Sequence, residues 1–167
     1  MLRRWIIPII VLPETVLIGV PSLLLWLTNN TKAAAEIAGV ETWNFWVAVL
    51  IGIPGFVLAF SAMKMFFKFG EGTAAPWDPP RKFVVKGAYR WVRNPMLSGV
   101  IILLFAMSLA LQSWAIAIWG AVFFCGNTIY FRFSEEPRLL ERFGDDYRRY
   151  CEYVPRWIPR LRPWDLD

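Results

Sequence analysis

MLSGVIILLFAMSLAL over residues 96–111, then Gln112 and Ser113, then WAIAIWGAVFFCGNTIYFRF over residues 114–133: two apolar runs parted by two polar residues. An α-helix rises 1.5 Å per residue, so the runs reach about 24 Å and about 30 Å, against a hydrocarbon core of about 30 Å. With only two residues between them they form a tight antiparallel hairpin, the first arm slightly short for a full crossing. Such a hairpin returns the chain to the side it left. Arg93 and Asn94, just before it, are therefore expected beside Glu135 and Glu136, just after it.

Working outward, Trp5 to Leu27 is apolar except for Glu14 and is interrupted by Pro8, Pro13 and Pro21. It exceeds the roughly 7–15 residues of a signal-peptide apolar core and reads as a span, with a kink expected at Pro21. Glu14 is costly in lipid and should face protein or water, either as a functional charge or simply paired near the kink. Trp43 to Met63 is a further apolar block, and its Gly52, Pro54 and Gly55 permit close helix approach and a bend. The 167 residues are 57% hydrophobic, above the roughly 45–50% of soluble domains. The fold expected is all-α: a single integral membrane bundle, 1–167, of about four transmembrane helices (about 5–27, 43–63, 96–111 and 114–133). Residues 64–95 form a loop and 134–167 a C-terminal segment.

Lys and Arg orient the bundle. The N-terminus carries Arg3 and Arg4, the first connection only Lys32, the 64–95 loop seven basic residues, the hairpin turn none and the tail eight. Four crossings with both termini cytoplasmic satisfy the positive-inside bias. The expected location is a plasma (inner) membrane, as a multi-pass protein. In the tail, Leu139, Leu140, Phe143, Tyr147, Tyr150, Cys151 and Val154 recur at helical steps, which predicts an amphipathic helix on the cytoplasmic side, ended by Pro155 and Pro159.

The chain has no histidine, and its two cysteines, Cys125 and Cys151, form no paired motif, so neither a metal site nor a disulfide framework is expected. The net charge of +5 fits the membrane bias, and no nucleic-acid partner is indicated. The cluster of Arg93, Asn94, Glu135 and Glu136 has two readings. It is a solvated membrane boundary with Ser134 capping the next helix. Alternatively it is a binding site, where glutamates accept from ribose hydroxyls or an ammonium and arginine grips a carboxylate.

Three pieces, in order around the hairpin, decide between these. Gly87-Ala-Tyr89-Arg90-Trp-Val-Arg93-Asn94-Pro95-Met96-Leu-Ser-Gly99 precedes it. Glu135-Glu136-Pro137 through Phe143-Gly144 to Tyr150, then Val154-Pro155-Arg156, follow it. Over residues 70–160 the chain resembles the isoprenylcysteine carboxyl methyltransferase and phospholipid N-methyltransferase superfamily. The resemblance implies S-adenosylmethionine bound at the cytoplasmic end of the hairpin, under the C-terminal segment, and a lipophilic acceptor entering from the bilayer. It implies cofactor contacts from Glu135, Glu136, Tyr89, Arg90, Pro95, Tyr147 and Tyr150, and from Gly70 and Gly72 as a glycine motif. It implies that Arg93 and Asn94 act at the reacting groups. Asn94 stands where many carboxyl methyltransferases have histidine and the phospholipid enzymes tend to have asparagine; Leu97 replaces a frequent tyrosine. The competing classes are a non-catalytic membrane scaffold and a small transporter using Glu14.

Overall fold

The computed structural model describes residues 14–29, 31, 35–69, 83 and 85–164, with only the backbone of 66–69. Five α-helices follow in order: α1 (Val20–Thr28), α2 (Trp43–Phe69), α3 (Pro95–Ala110), α4 (Trp114–Tyr130) and α5 (Glu136–Tyr153). A π-helical turn, Thr15–Gly19, leads into α1, and a second, Phe131–Glu135, joins α4 to α5 without a break. There is no strand among the described residues. The protein is an all-helical membrane bundle.

Among the described residues two helices are long and apolar enough to cross a bilayer: Trp43–Met65, with a mean hydropathy of 2.2, and Trp114–Tyr153, with 1.4. Only 17% of each apolar window is buried inside the protein, so both present their side chains outward rather than to a core. In the second, the apolar part is α4; charge begins at Arg132, and α5 lies beyond the span. The apolar stretches Thr15–Thr28 and Pro95–Ala110 are shorter. α2 continues to Phe69, into the stretch expected as loop, because Lys64 lays its ammonium over the Phe60 ring, 4.5 Å from the centroid, one turn back.

Contacts cluster into two compact units, Met1–Val57 with Gly99–Phe123, and Leu58–Ser98 with Phe124–Asp167. In the first, the hairpin reads as expected. Gln112 takes a positive φ of 45° in the turn, and Ser113 N donates to Ser108 O at 2.9 Å. The connection from α1 then covers the hairpin end: Glu36 N donates to Leu111 O (3.1 Å) and Ala38 N to Ala110 O (2.8 Å), capping carbonyls that α3 leaves open. At Pro21 the backbone takes a π turn. A π ladder would pair Val16 O with the N–H five residues on, which Pro21 lacks; the Trp119 indole donates there instead, at 3.1 Å. Glu14 is exposed.

Gly55 sets the approach of α2 to α3. A Cβ there would stand 2.7 Å from Ile102 Cγ2 and 3.3 Å from Gly99 O, and a β-branched Ile has little freedom to yield. Gly55→Val is expected to destabilise the protein by about 1–3 kcal/mol. Gly126→Ala, where nothing lies within 4 Å, should be neutral or stabilising. Thermal unfolding of both variants in detergent checks the contrast.

Candidate active site

The site lies in the second unit and is built from four segments: the 3-10 turn Gly87–Arg90, the approach to α3, the first turn of α5, and the strap after α5. α5 buries one face. Tyr147, Tyr150 and Val154 form its core, with Phe83, Val85, Leu139, Phe143, Cys151 and Trp164 packed around them. Phe83 is the hub of the rings, 5.3 Å from Phe143 and from Tyr150, and 5.9 Å from Tyr147. Leu140 departs from the expected stripe and is exposed. Gly144 takes φ 57°, ψ −131°, a conformation that only glycine adopts without strain, so α5 bends locally between Phe143 and Tyr147.

Glu136 is the centre of the site. Its Oε1 accepts from Arg93 Nη1 at 2.8 Å and from Arg156 Nε at 2.8 Å, and its Oε2 accepts from Arg156 Nη2 at 2.7 Å. Arg156 therefore grips it as a two-pronged fork, while Arg93 closes from the other segment. The three side chains are only 13%, 18% and 22% exposed, which leaves little water to screen them. The hydrogen bonds to Glu136 hold the Arg156 guanidinium charged even more firmly than usual. Arg93 Nη1 also donates to Cys151 Sγ at 3.0 Å.

Backbone pairing ties the strap down. Arg93 N donates to Pro155 O, Arg160 N to Trp91 O and Trp164 N to Arg90 O, each at 2.9 Å. Asn94 Nδ2 donates to Arg156 O at 3.4 Å, and Ser98 Oγ to Trp157 O at 3.1 Å. Arg90 Nε donates to Trp164 O at 3.1 Å, and Tyr150 OH to Tyr89 O at 2.7 Å. Arg93 Nε, Trp157 Nε1 and Arg160 Nη1 are buried donors with no acceptor among the described residues.

Glu135 is arranged differently from its neighbour. The π turn sets residues five apart in register, and the Tyr130 hydroxyl hydrogen-bonds the Glu135 carboxylate. Burial raises the Glu135 carboxyl above the usual range and adjacent Glu136 adds to this; the Tyr130 bond and Arg138 oppose it. Burial, reinforced by Glu135, holds the Tyr89 phenol well above the ordinary tyrosine range. Burial does the same for Tyr147 and Tyr150, so all three remain neutral hydroxyl donors.

Arg93 thus meets the glutamate pair through Glu136. Asn94 is committed to the strap, and Pro95 is buried at the first position of α3. Arg90 grips Trp164, and Tyr147 and Tyr150 lie in the aromatic core. Gly70 and Gly72 lie outside the described residues. Ser134 does not cap α5: helix continues through it by way of the π turn, so no free N-terminus exists to cap. Sequence reasoning placed Cys151 in the apolar stripe and Arg156 in a motif but gave neither a role in the site. The one available signal was the position of Arg156 in Val-Pro-Arg, directly after the amphipathic stripe.

An apolar helical bundle with a paired-charge cluster where the apolar helix ends defines a membrane protein whose polar chemistry sits at the boundary. The chain belongs to the phospholipid methyltransferase family, whose sequence model matches residues 43–146, more than half its length. No curated protein sequence matches it. Membership makes it a membrane methyltransferase with lipid-like substrates. Arg93, Asn94, Glu135 and Glu136 fall inside the match; Tyr147, Tyr150, Cys151 and Arg156 lie beyond it.

Glu136→Gln leaves two guanidinium groups short of a counter-charge and is expected to lower stability by on the order of 3 kcal/mol. Arg156→Lys keeps the charge but not the fork and should cost less. Glu135→Gln should act in the opposite sense. Because the Glu135 carboxyl is raised on folding, its contribution to stability is present below the ordinary glutamate range and lost as pH rises through the raised value. At neutral pH the variant should melt at the same temperature as the wild type or above it, and the gain should vanish on acidification. Melting curves across pH check all three.

Proposed function

We propose that the chain transfers a methyl group from S-adenosylmethionine to a lipophilic acceptor at the cytoplasmic membrane face. The observation that carries this reading is the division of labour between adjacent carboxylates. Glu136 is saturated by two arginines, while Glu135 is half-buried beside it and untouched by either of them. A zwitterionic amino-acid cofactor needs an anionic acceptor for its ammonium or ribose hydroxyls and a donor for its carboxylate. Glu135 suits the first, and the unpartnered Nε of Arg93 suits the second. When bound, the cofactor supplies an activated methyl whose transfer leaves a neutral thioether.

The protein's own contribution is placement and dryness. Arg93 is fixed by Glu136 and Cys151, so its guanidinium is held in place before any ligand arrives, which saves ordering on binding. Tyr89 stays neutral beside Glu135, and the strap covers the approach to α3. Asn94, bonded to Arg156 O, acts in this reading by holding the strap rather than by touching the reacting atoms. Membership of the phospholipid family and the asparagine at position 94 favour a headgroup amine over an isoprenylcysteine carboxylate as acceptor. The lysine and arginine distribution favours an arrangement of about four spans with both termini cytoplasmic. The reading requires no metal and no nucleic-acid partner.

Calorimetric titration of the purified protein in detergent with S-adenosylmethionine tests this directly. Micromolar binding is expected for the wild type. Glu135→Gln, which keeps the fold, should weaken it roughly 10- to 100-fold, the worth of one charge-assisted hydrogen bond. Absence of binding by folded wild-type protein would refute the cofactor assignment.

A further inference from the structure

The strap from Pro155 to Trp164 carries exposed apolar side chains that its role as a cover for the site does not require. Ile158 is 77% exposed and Leu161 96%. Leu161 lies between Arg160 and Arg162, of which Arg162 is exposed. We propose that the strap is a membrane-surface anchor that inserts Ile158 and Leu161 into the interfacial layer of the bilayer and sets Arg162 against anionic lipid headgroups.

Depth is the first argument. The Trp157 ring packs on Phe124 and Phe131 of the apolar helix, with centroids 5.4 and 5.9 Å apart. Phe124 stands eight residues before Arg132, where charge begins, or about 12 Å along a helix. Trp157 is thus seated below the charged end of the span, at the level where tryptophan collects in membrane proteins. Its neighbour Ile158 faces outward from there.

The backbone is the second argument. Non-helical chain is tolerated at such depth only where its polar groups are satisfied. Pro155, Pro159 and Pro163 have no N–H to satisfy. Arg160 N and Trp164 N donate to Trp91 O and Arg90 O, while Pro155 O and Trp157 O accept from Arg93 N and Ser98 Oγ. The strap's inner side is therefore tied to the segment before α3, while its outer side carries Ile158 and Leu161. Charge is the third argument: exposed Arg162, next to Leu161, complements an anionic surface, and its long stem lets the guanidinium rise to the headgroups. The outer face of α5 contrasts with this. Its Asp145 and Arg148 pair with each other in the open, at 64–83% exposure, as a water-facing surface does.

This inference does not depend on the cofactor. A fluorescent amino acid substituted at Leu161 in the full chain, reconstituted in lipid discs, tests it; the same probe at exposed Glu152 is the water-facing reference. Emission at 161 should be blue-shifted relative to 152 and quenched several-fold more strongly by shallow nitroxide-labelled lipid. Labelled phosphatidylglycerol should quench more than labelled phosphatidylcholine at equal mole fraction, and Arg162→Gln should remove that preference. A probe at 161 as wet and as unquenched as at 152 would overturn the anchor. A blue-shifted probe that no lipid quenches would also overturn it, since protein would then cover the patch. Equal quenching by both lipids would overturn the anionic pairing.

Discussion

Glu136 receives guanidinium groups from two segments far apart in the chain, Arg93 before α3 and Arg156 after α5. None of the three charges is well exposed, and a charge in that position persists only when paired and hydrogen-bonded. Once α4 delivers Glu136 to the end of the apolar span, both arginines are constrained to converge on it. The strap's register then follows: with Arg156 fixed, Pro155 O meets Arg93 N, and Arg160 N and Trp164 N meet Trp91 O and Arg90 O in turn. The aromatic core beneath α5 adds apolar burial but little direction; the ion cluster supplies the direction. A buried cluster of this kind is not required for net stability, because desolvation offsets much of its attraction. What it supplies here is a single arrangement of three segments that have few other reasons to meet.

The π turn at Phe131–Glu135 is what separates the two glutamates functionally. In an uninterrupted α-helix, neighbouring side chains point about 100° apart, and the residue meeting Tyr130 would be three or four positions on. The wider turn lets Tyr130 reach Glu135 as well as Ser134 and leaves Glu136 for the arginines. One carboxylate is spent on the fold and the other stays available, raised by burial and held by a single neutral hydroxyl. The carboxylate that closes the ion cluster and the one left out of it therefore sit on adjacent residues with opposite sensitivities.

The hairpin and the meeting of Arg93 with the glutamate pair were legible because both rest on coarse properties: run length, apolarity and the two-residue gap at Gln112. Tyr147, Tyr150 and Val154 were legible because their spacing is helical. The π turns were not, since nothing in Thr15–Gly19 or Phe131–Glu135 differs in composition from α-helix. The capping role expected of Ser134 failed for that reason: the helix never ends there. The end of α2 was misread because Lys64 looks like loop by charge alone, while its placement over Phe60 lets the helix continue. Arg156 carries no periodic signal, and the helical spacing of Cys151 says nothing of its partner; only the packed chain shows that Cys151 meets Arg93 and that Arg156 meets Glu136.

The family match ends at residue 146, yet the clamp on Glu136 is completed by Arg156. The matched portion alone would leave Glu136 with Arg93 only, and the approach to α3 without its cover. The strap thus belongs to the site physically even though the family pattern stops before it. Its inner side is fixed to the segment before α3 through backbone bonds, and its outer side carries Ile158 and Leu161. One residue, Trp157, separates Arg156, which grips Glu136, from the apolar Ile158. In a methyltransferase with lipid-like substrates, the clamp on the ion cluster and the exposed apolar side chains therefore lie on the same ten residues, 155–164.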